Sequence, residues 1–318
     1  MRSLILILSL FFAGAAMAQT RPVTDDAGRE VTIPEDPKRI VTLHEPLLTL
    51  PLLELGMPVV GSYGRGDNGE SLLALDFIEN VLGADGEALG ISGIGAPGNI
   101  DLERIRALEP DLIVGTEHDA QKADQLSAIA PVYLQNSRSG VVSGFEAEAA
   151  LAERFARTDT FDAKKAAYLD RVAEVRDSLP GNPGEETYLA IIIYDQINVI
   201  SAMSGAIQAI EDLGYSKAEW QGAGKASGYG SGFAVPLSSE AFGRLDPDVL
   251  VIMNSYSSDE RDEAAIRARL DRIVPGWDRF LKPAREDRII FLDSGATATP
   301  TIASAEHTLD AFEAWARD

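Results

Sequence analysis

Asp101-Leu102-Glu103-Arg104-Ile105-Arg106-Ala107-Leu108-Glu109-Pro110-Asp111-Leu112-Ile113-Val114 aligns without gaps to Ser238-Ser239-Glu240-Ala241-Phe242-Gly243-Arg244-Leu245-Asp246-Pro247-Asp248-Val249-Leu250-Val251, at a constant offset of 137 residues. Glu, Leu, Pro and Asp coincide at 103/240, 108/245, 110/247 and 111/248, and an acidic residue precedes each proline. Each segment reads as a short helix stopped by a proline, feeding directly into a strand of consecutive apolar residues that is buried on both faces. Helix–Pro–Asp–strand modules are common in α/β proteins. Their recurrence here at matched spacing predicts two lobes built on one plan.

Outward from these segments, short β-branched runs alternate with longer helical patterns, the signature of βα units and a mostly parallel sheet. Ile40–Leu43, Pro58–Gly61, Leu112–Gly115 and Val132–Leu134 read as strands of the first half, with Pro46–Leu55 and Ala120–Ile129 as candidate helices. Between Gly144 and Leu179, Phe145, Ala149, Ala152, Phe155, Tyr168, Val172 and Val175 recur at helical spacing, which predicts a long helix with a break near Arg157–Thr160. Pro180-Gly181-Asn182-Pro183-Gly184 stops it. Tyr188–Ile193, Val249–Met253 and Arg288–Leu292 then read as strands of a second half. The expected fold is α/β: two lobes with central, mostly parallel sheets joined by a long α-helix. The boundaries are a first lobe over 19–143, a connector over 144–180 and a second lobe over 181–318.

Composition narrows the function. Across 318 residues, 28 Lys and Arg stand against 50 Asp and Glu, a formal charge of −22 that opposes nucleic-acid binding and attraction to anionic membranes. Hydrophobic residues make up 45% and charged residues 25%, which suits a globular chain and excludes a polytopic membrane protein or a disordered one. There is no cysteine, so thiolate metal sites, disulfides and a cysteine-linked lipid anchor have no residue to use. Met1–Ala18 combines Arg2, an apolar run from Leu4 to Phe12 and a small-residue ending, Ala16-Met17-Ala18. This predicts a secretory signal, 1–18, cleaved after Ala18 with no membrane insertion afterwards. A soluble exported chain of this kind fits the periplasm of a Gram-negative bacterium, and it is expected to work as a monomer.

Signatures of catalysis are scarce: G-x-S-x-G, G-x-x-x-x-G-K-[ST] and H-E-x-x-H are all missing, and His44, His118 and His307 are the only histidines. The chain is therefore read as a binder without a catalytic residue or resident cofactor. In open α/β sheets ligands bind beyond the carboxyl ends of the strands, so each predicted strand nominates the loop after it. In the first half these loops carry His44, Tyr63, Arg65, His118 and Arg138. Their positive charge in an acidic protein points to an anionic ligand held by charge-assisted hydrogen bonds. In the second half Tyr194, Lys225, Tyr229, Phe233, Asn254 and Tyr256 lie in or near equivalent loops, adding a cation and aromatic faces. The glycine-rich stretch Ser227–Phe233 suits either a lip over a ligand or ordinary loop packing. A bare metal site built from His44 and His118, completed by Glu45 or Asp293, is an alternative. Glu103 and Glu240 begin helices instead of ending strands. Either they complement the helix dipole, or they dock, one per lobe, onto arginines that a two-fold symmetric partner presents twice.

The opening Val23–Pro34 followed by Pro37-Lys38-Arg39-Ile40-Val41 resembles that of periplasmic substrate-binding proteins for iron–siderophore and cobalamin uptake. Leu55–Gly61, Asp101–Val114, Ile129–Val132 and Leu237–Val251 extend the resemblance over nearly all of the chain. It implies two α/β lobes joined by a rigid helix, with Glu103 and Glu240 engaging arginine pockets on the permease dimer of an inner-membrane ABC importer. It also implies a ligand among ferric siderophores, haem and cobalamin. The loop cations favour an anionic ferric siderophore. The competing readings are a cobalamin or haem binder of the same family and a periplasmic metal-dependent hydrolase.

Overall fold

The computed structural model describes residues 19–95, 99–137, 143–200, 202, 204–220, 234–256, 258 and 260–317. The predicted signal segment lies outside them. β1 (Thr20–Thr24) and β2 (Glu30–Pro34) pair as an antiparallel hairpin. β3 (Ile40–Thr42), β4 (Val59–Ser62), β5 (Ser92–Gly93), β6 (Leu112–Thr116) and β7 (Val132–Gln135) make a parallel sheet in the order β5-β4-β3-β6-β7. The second lobe holds β8 (Thr187–Ile193), β9 (Ile197–Ile200), β10 (Ser216–Lys217), β11 (Ala234–Leu237), β12 (Val249–Met253) and β13 (Ile289–Leu292). Its order is β11-β9-β8-β12-β13, with β10 beside β8. β8, β12 and β13 run parallel, and β9 turns back against β8. The two-lobed α/β class expected from the sequence is the one observed.

The repeated aspartates explain why the sequence repeats. Asp111 donates its N–H to the carbonyl of Arg39 at 3.0 Å. Its carboxylate accepts the N–H groups of Lys38 at 2.6 Å and Arg39 at 2.9 Å. Asp248 does the same in the second lobe: its N–H reaches the Thr187 carbonyl at 2.9 Å. Its carboxylate accepts the Thr187 N–H at 2.8 Å and hydroxyl at 2.9 Å. Each aspartate thus ties the entry of its own strand, β6 or β12, to the entry of the neighbouring strand, β3 or β8. The proline before each aspartate has no N–H to leave unpaired, and it stops the preceding helix.

Both preceding helices begin at the carboxyl edge of their sheet. Asp101 caps the first, Leu102–Ala107, and donates its own N–H to the carbonyl of Ile94, just past β5, at 2.8 Å. Ser238 caps the second, Ser239–Phe242, directly after β11. The β11 end Leu237 pairs with Ile197, which pairs with Ile193 at the end of β8. Glu103 and Glu240 therefore occupy equivalent places on the two lobes.

The connector is two helices, Glu146–Arg154 and Thr158–Ser178. Ala156, at φ 54°, makes the break that the sequence placed a residue or two later. The longer helix is fastened to the second lobe along its length. Tyr168 donates to Asp212 at 2.9 Å, Arg176 donates to the Leu213 carbonyl at 2.9 Å, and Arg171 pairs with Asp310 and Glu313 of the last helix, Ile302–Arg317.

The Lys282 ammonium and the Thr187 N–H, both bonded to the Asp248 carboxylate, hold its pKa down at about 2. Asp248→Ala is expected to lower the unfolding free energy by about 1–3 kcal/mol in denaturant titrations at pH 7. A depressed carboxyl stabilises above its unfolded value and loses that contribution as pH falls. The gap between variant and wild type should therefore narrow between about pH 4 and pH 2. A gap independent of pH would assign the loss to packing instead.

Candidate functional site

At the carboxyl edge of the first sheet, β3 runs into His44, whose Nδ1 accepts the Leu47 N–H at 3.3 Å and so carries its proton on Nε2. Burial, then the neighbouring His118, push the His44 pKa down to about 4 against the opposing pull of Glu117. Its imidazole is therefore neutral at pH 7. After β6, a capping box between Thr116 and Asp119 sets the next turn and presents His118, with its Nε2 3.4 Å from Glu117 Oε1. The other Glu117 oxygen accepts the Ser137 N–H at 2.9 Å and hydroxyl at 3.0 Å, tying the loops after β6 and β7 together. Tyr63, after β4, is half-buried against the core beneath this edge. The loop after β6 thus brings His118 and Glu117 close enough to His44 to act on its charge.

Arg65 departs from expectation. Its side chain is 0% exposed and clamped between carboxylates. Nε donates to Glu45 Oε2 at 2.7 Å, Nη2 to Glu45 Oε1 at 3.1 Å, and the guanidinium also meets Asp76 and the Gly69 carbonyl. The loop after β4 folds inward because Glu45, itself fully buried, needs a cation. Arg65 thus presents no charge to a ligand. It positions the turn that carries His44, and through Asp76, the cap of helix Phe77–Leu82, it positions Phe77. Arg138, Lys225, Tyr229 and Phe233 lie outside the described residues.

From the second lobe, Tyr194 follows β8 and Tyr256 follows β12, and their rings lie 6.4 Å apart. Phe77 of the first lobe reaches across to Tyr256 at 6.1 Å. Burial pushes the Tyr194 phenol up to about 12, and burial raises that of Tyr256 as well, so both stay protonated as neutral donors. Asn254, immediately past β12, accepts the N–H of Ser294 at 2.9 Å and its hydroxyl at 2.6 Å. It thereby joins the ends of β12 and β13.

A cation that sequence reasoning missed stands beside these groups. Arg261 pairs with Asp293 at the end of β13, and its Nη1 has no hydrogen-bond partner among the described residues. A Cβ on Gly295 would come within 3.1 Å of Arg261 Nη2 and 3.2 Å of Leu75 Cδ1, so Arg261 lies where the first lobe meets the second. Its signal was legible: it is the one basic residue between Asn254 and Asp262, although eight residues past the strand end. The metal alternative loses its carboxylates, since Glu45 is taken by Arg65 and Asp293 by Arg261. Among the described residues no three His, Asp or Glu side chains converge to hold a metal.

Glu103 and Glu240 stand out from the surface with side chains 82% and 74% exposed. Each pairs within its own helix region: Glu103 with Arg106 at 2.6 Å, and Glu240 with Arg244.

Two α/β lobes whose strand-end loops meet, joined by a helical connector, make the architecture of a two-lobed binding protein. Residues 77–296 match the model of the periplasmic binding protein family, and the chain belongs to that family. It is 25% identical over 240 residues to YhfQ of Bacillus subtilis (strain 168), a lipoprotein named for substrate binding to an ABC transporter; the match spans 74% of this chain and 71% of YhfQ. The crystal structure of holo-ViuP superposes with a TM-score of 0.69 at 18% identity, covering 91% of this chain and 92% of that one. The periplasmic catecholate-siderophore binding protein VctP from Vibrio cholerae superposes with a TM-score of 0.65 at 17% identity, covering 93% and 100%. At these identities the superpositions establish the shared fold. Among the described residues no helix is long and apolar enough to cross a membrane.

Arg65→Met strands Glu45, whose pKa burial already pushes up to about 7 against the pull of Arg65. Chemical denaturation should show a loss of about 3–5 kcal/mol, partly recovered by adding Glu45→Gln. A loss below about 1 kcal/mol would mean that Arg65 is dispensable to the loop.

Proposed function

We propose that this protein captures a ferric siderophore between its lobes and delivers it, without chemical turnover, to an ABC importer in the inner membrane. The observation that carries this reading is the pair of exposed acids, Glu103 and Glu240, at equivalent carboxyl-edge places on two lobes whose strand-end loops meet. A partner gripping both acids would sit over the edge where a ligand enters. A two-fold symmetric permease dimer would offer its arginines in duplicate, and each would displace Arg106 or Arg244 from an exposed, weakly held pair. The protein acts as a monomer in the periplasm after export.

The family supports capture, and the naming of VctP as a catecholate-siderophore binder supports the ligand class. The first lobe contributes neutral or half-shielded donors: His44, His118 and Tyr63. The second contributes the Tyr194 and Tyr256 phenols and Arg261. The anionic part of the reading rests on Arg261 together with Arg138 and Lys225, which lie outside the described residues. An unpartnered guanidinium N–H at the lobe junction suits a catecholate or carboxylate oxygen, which would bring the proton acceptor that the nitrogen lacks.

Ferric complexes quench nearby aromatic emission, so titration with a panel of anionic ferric siderophores should give saturable quenching. Arg261→Ala should weaken the best binder by about 10–100-fold, the range for losing a charge-assisted hydrogen bond. No quenching across the panel, with a coloured stoichiometric complex on adding haemin or cyanocobalamin, would replace the siderophore with those ligands. For docking, Glu103→Ala with Glu240→Ala should leave ligand affinity unchanged and sharply reduce transport in reconstituted vesicles, since close interfacial charge pairs couple by ~1.5–7 kcal/mol. Normal transport by the double variant would refute the docking role.

A further inference from the structure

Behind the strand-end loops, two carboxylates from separate parts of the chain close on the start of the last helix. Glu54, the final residue of helix Leu50–Glu54 in the first lobe, accepts the Ala303 N–H at 3.0 Å. Glu148, in the first connector helix, accepts the Ile302 N–H at 3.0 Å. Glu148 is 0% exposed, and the Glu54 side chain is 2% exposed. One cation is in reach: Lys164 Nζ, 42% exposed, pairs with Glu54 Oε1 at 3.8 Å. Glu148 Oε1 has no hydrogen-bond partner among the described residues.

Two negative charges here would be hard to sustain. A helix start supplies about half a positive charge and a few free N–H groups, enough to favour one carboxylate. A second, buried beside the first, costs several kcal/mol unless it is neutralised. A proton on Glu148 removes that cost and leaves the other oxygen free to accept the Ile302 N–H. Lys164, partly exposed and paired with Glu54, offsets only part of that cost. The last helix brings Glu306, His307 and Asp310 to the groove outside the pair, His307 being hydrogen-bonded to the Val81 carbonyl at 2.9 Å. The long connector helix brings Lys164, and helix Phe77–Leu82 brings Val81 and Leu82.

We propose that Glu54 and Glu148 form a proton-binding site that fastens the first lobe and the connector to the last helix of the second lobe, holding one proton at neutral pH and releasing it in alkaline solution. Burial, and then the charge of Glu54, raise the Glu148 pKa well above the carboxylate range, and burial raises Glu54 to about 7 in spite of Lys164. The two titrate as a unit, so the proton belongs to the pair. The folded chain then binds more protons than the unfolded chain above about pH 4.5, and stability falls as pH rises through the folded values. The pair joins helix Leu50–Glu54 and the first connector helix to the last helix, so alkaline release loosens that junction.

Glu148→Gln keeps the acceptor for Ile302 N–H and removes the titration. Thermal unfolding of the mature chain should show the wild type losing stability from pH 5 to pH 8. The variant should change less and exceed wild type at pH 8 by about 2–4 °C. Parallel pH profiles, or a variant less stable than wild type at pH 8, would overturn the proposal. Isotope-edited infrared spectroscopy of the wild type provides a second readout that does not depend on the variant folding. A protonated carboxyl band at pH 7 that fades in alkaline buffer is expected, and its absence at pH 7 would equally overturn the site.

Discussion

Each lobe hangs on an aspartate that holds the entries of two adjacent parallel strands in register. Asp111 joins β6 to β3, and Asp248 joins β12 to β8, in both cases through a backbone bond returned by carboxylate bonds. Parallel strands cannot be joined by a tight turn, so their register must be set by something other than the connection between them. The proline before each aspartate stops a short helix at the right distance. That helix starts with a capped turn at the opposite edge of the sheet, where Glu103 and Glu240 emerge. One local device, used twice, thus fixes strand register and the placement of a surface acid on each lobe.

The strand-end loops divide polar work unevenly. In the first lobe the arginine that a loop position would offer to solvent is drawn inward by Glu45 and Asp76, and burial neutralises His44. In the second lobe Arg261 keeps one nitrogen unsatisfied beside Asp293, and the Tyr256 ring, next to that of Tyr194, meets Phe77 across the junction. Groups that hold the frame are paired and enclosed. Those nearest the lobe junction, Tyr194, Tyr256 and Arg261, are only partly buried.

Much of the architecture was legible because it rests on local chemistry. Consecutive Val, Ile and Leu marked β6, β8 and β12. Pro180 to Gly184 marked the end of the connector, and the repeated Pro-Asp marked the two lobes. The β1–β2 hairpin and the strands β5, β9, β10 and β11 were missed: two of them are two residues long, and β9 depends on the turn after Tyr194 to bring it back against β8. Side-chain direction was less legible than position. Strand-end placement nominated Arg65 correctly as to edge but not as to orientation, because its destination depends on Glu45, twenty residues earlier in the chain. Arg261 was passed over for the opposite reason, since it lies well beyond its strand and returns to the edge only through Asp293.

Everything turns on whether the junction between these lobes holds a metal chelate for delivery. Native mass spectrometry of the protein exported by iron-starved cells tests this most directly. The account predicts one iron-containing small molecule per chain, released intact on denaturation. A chain carrying an iron-free metabolite, or one that alters the molecule it binds, would contradict it.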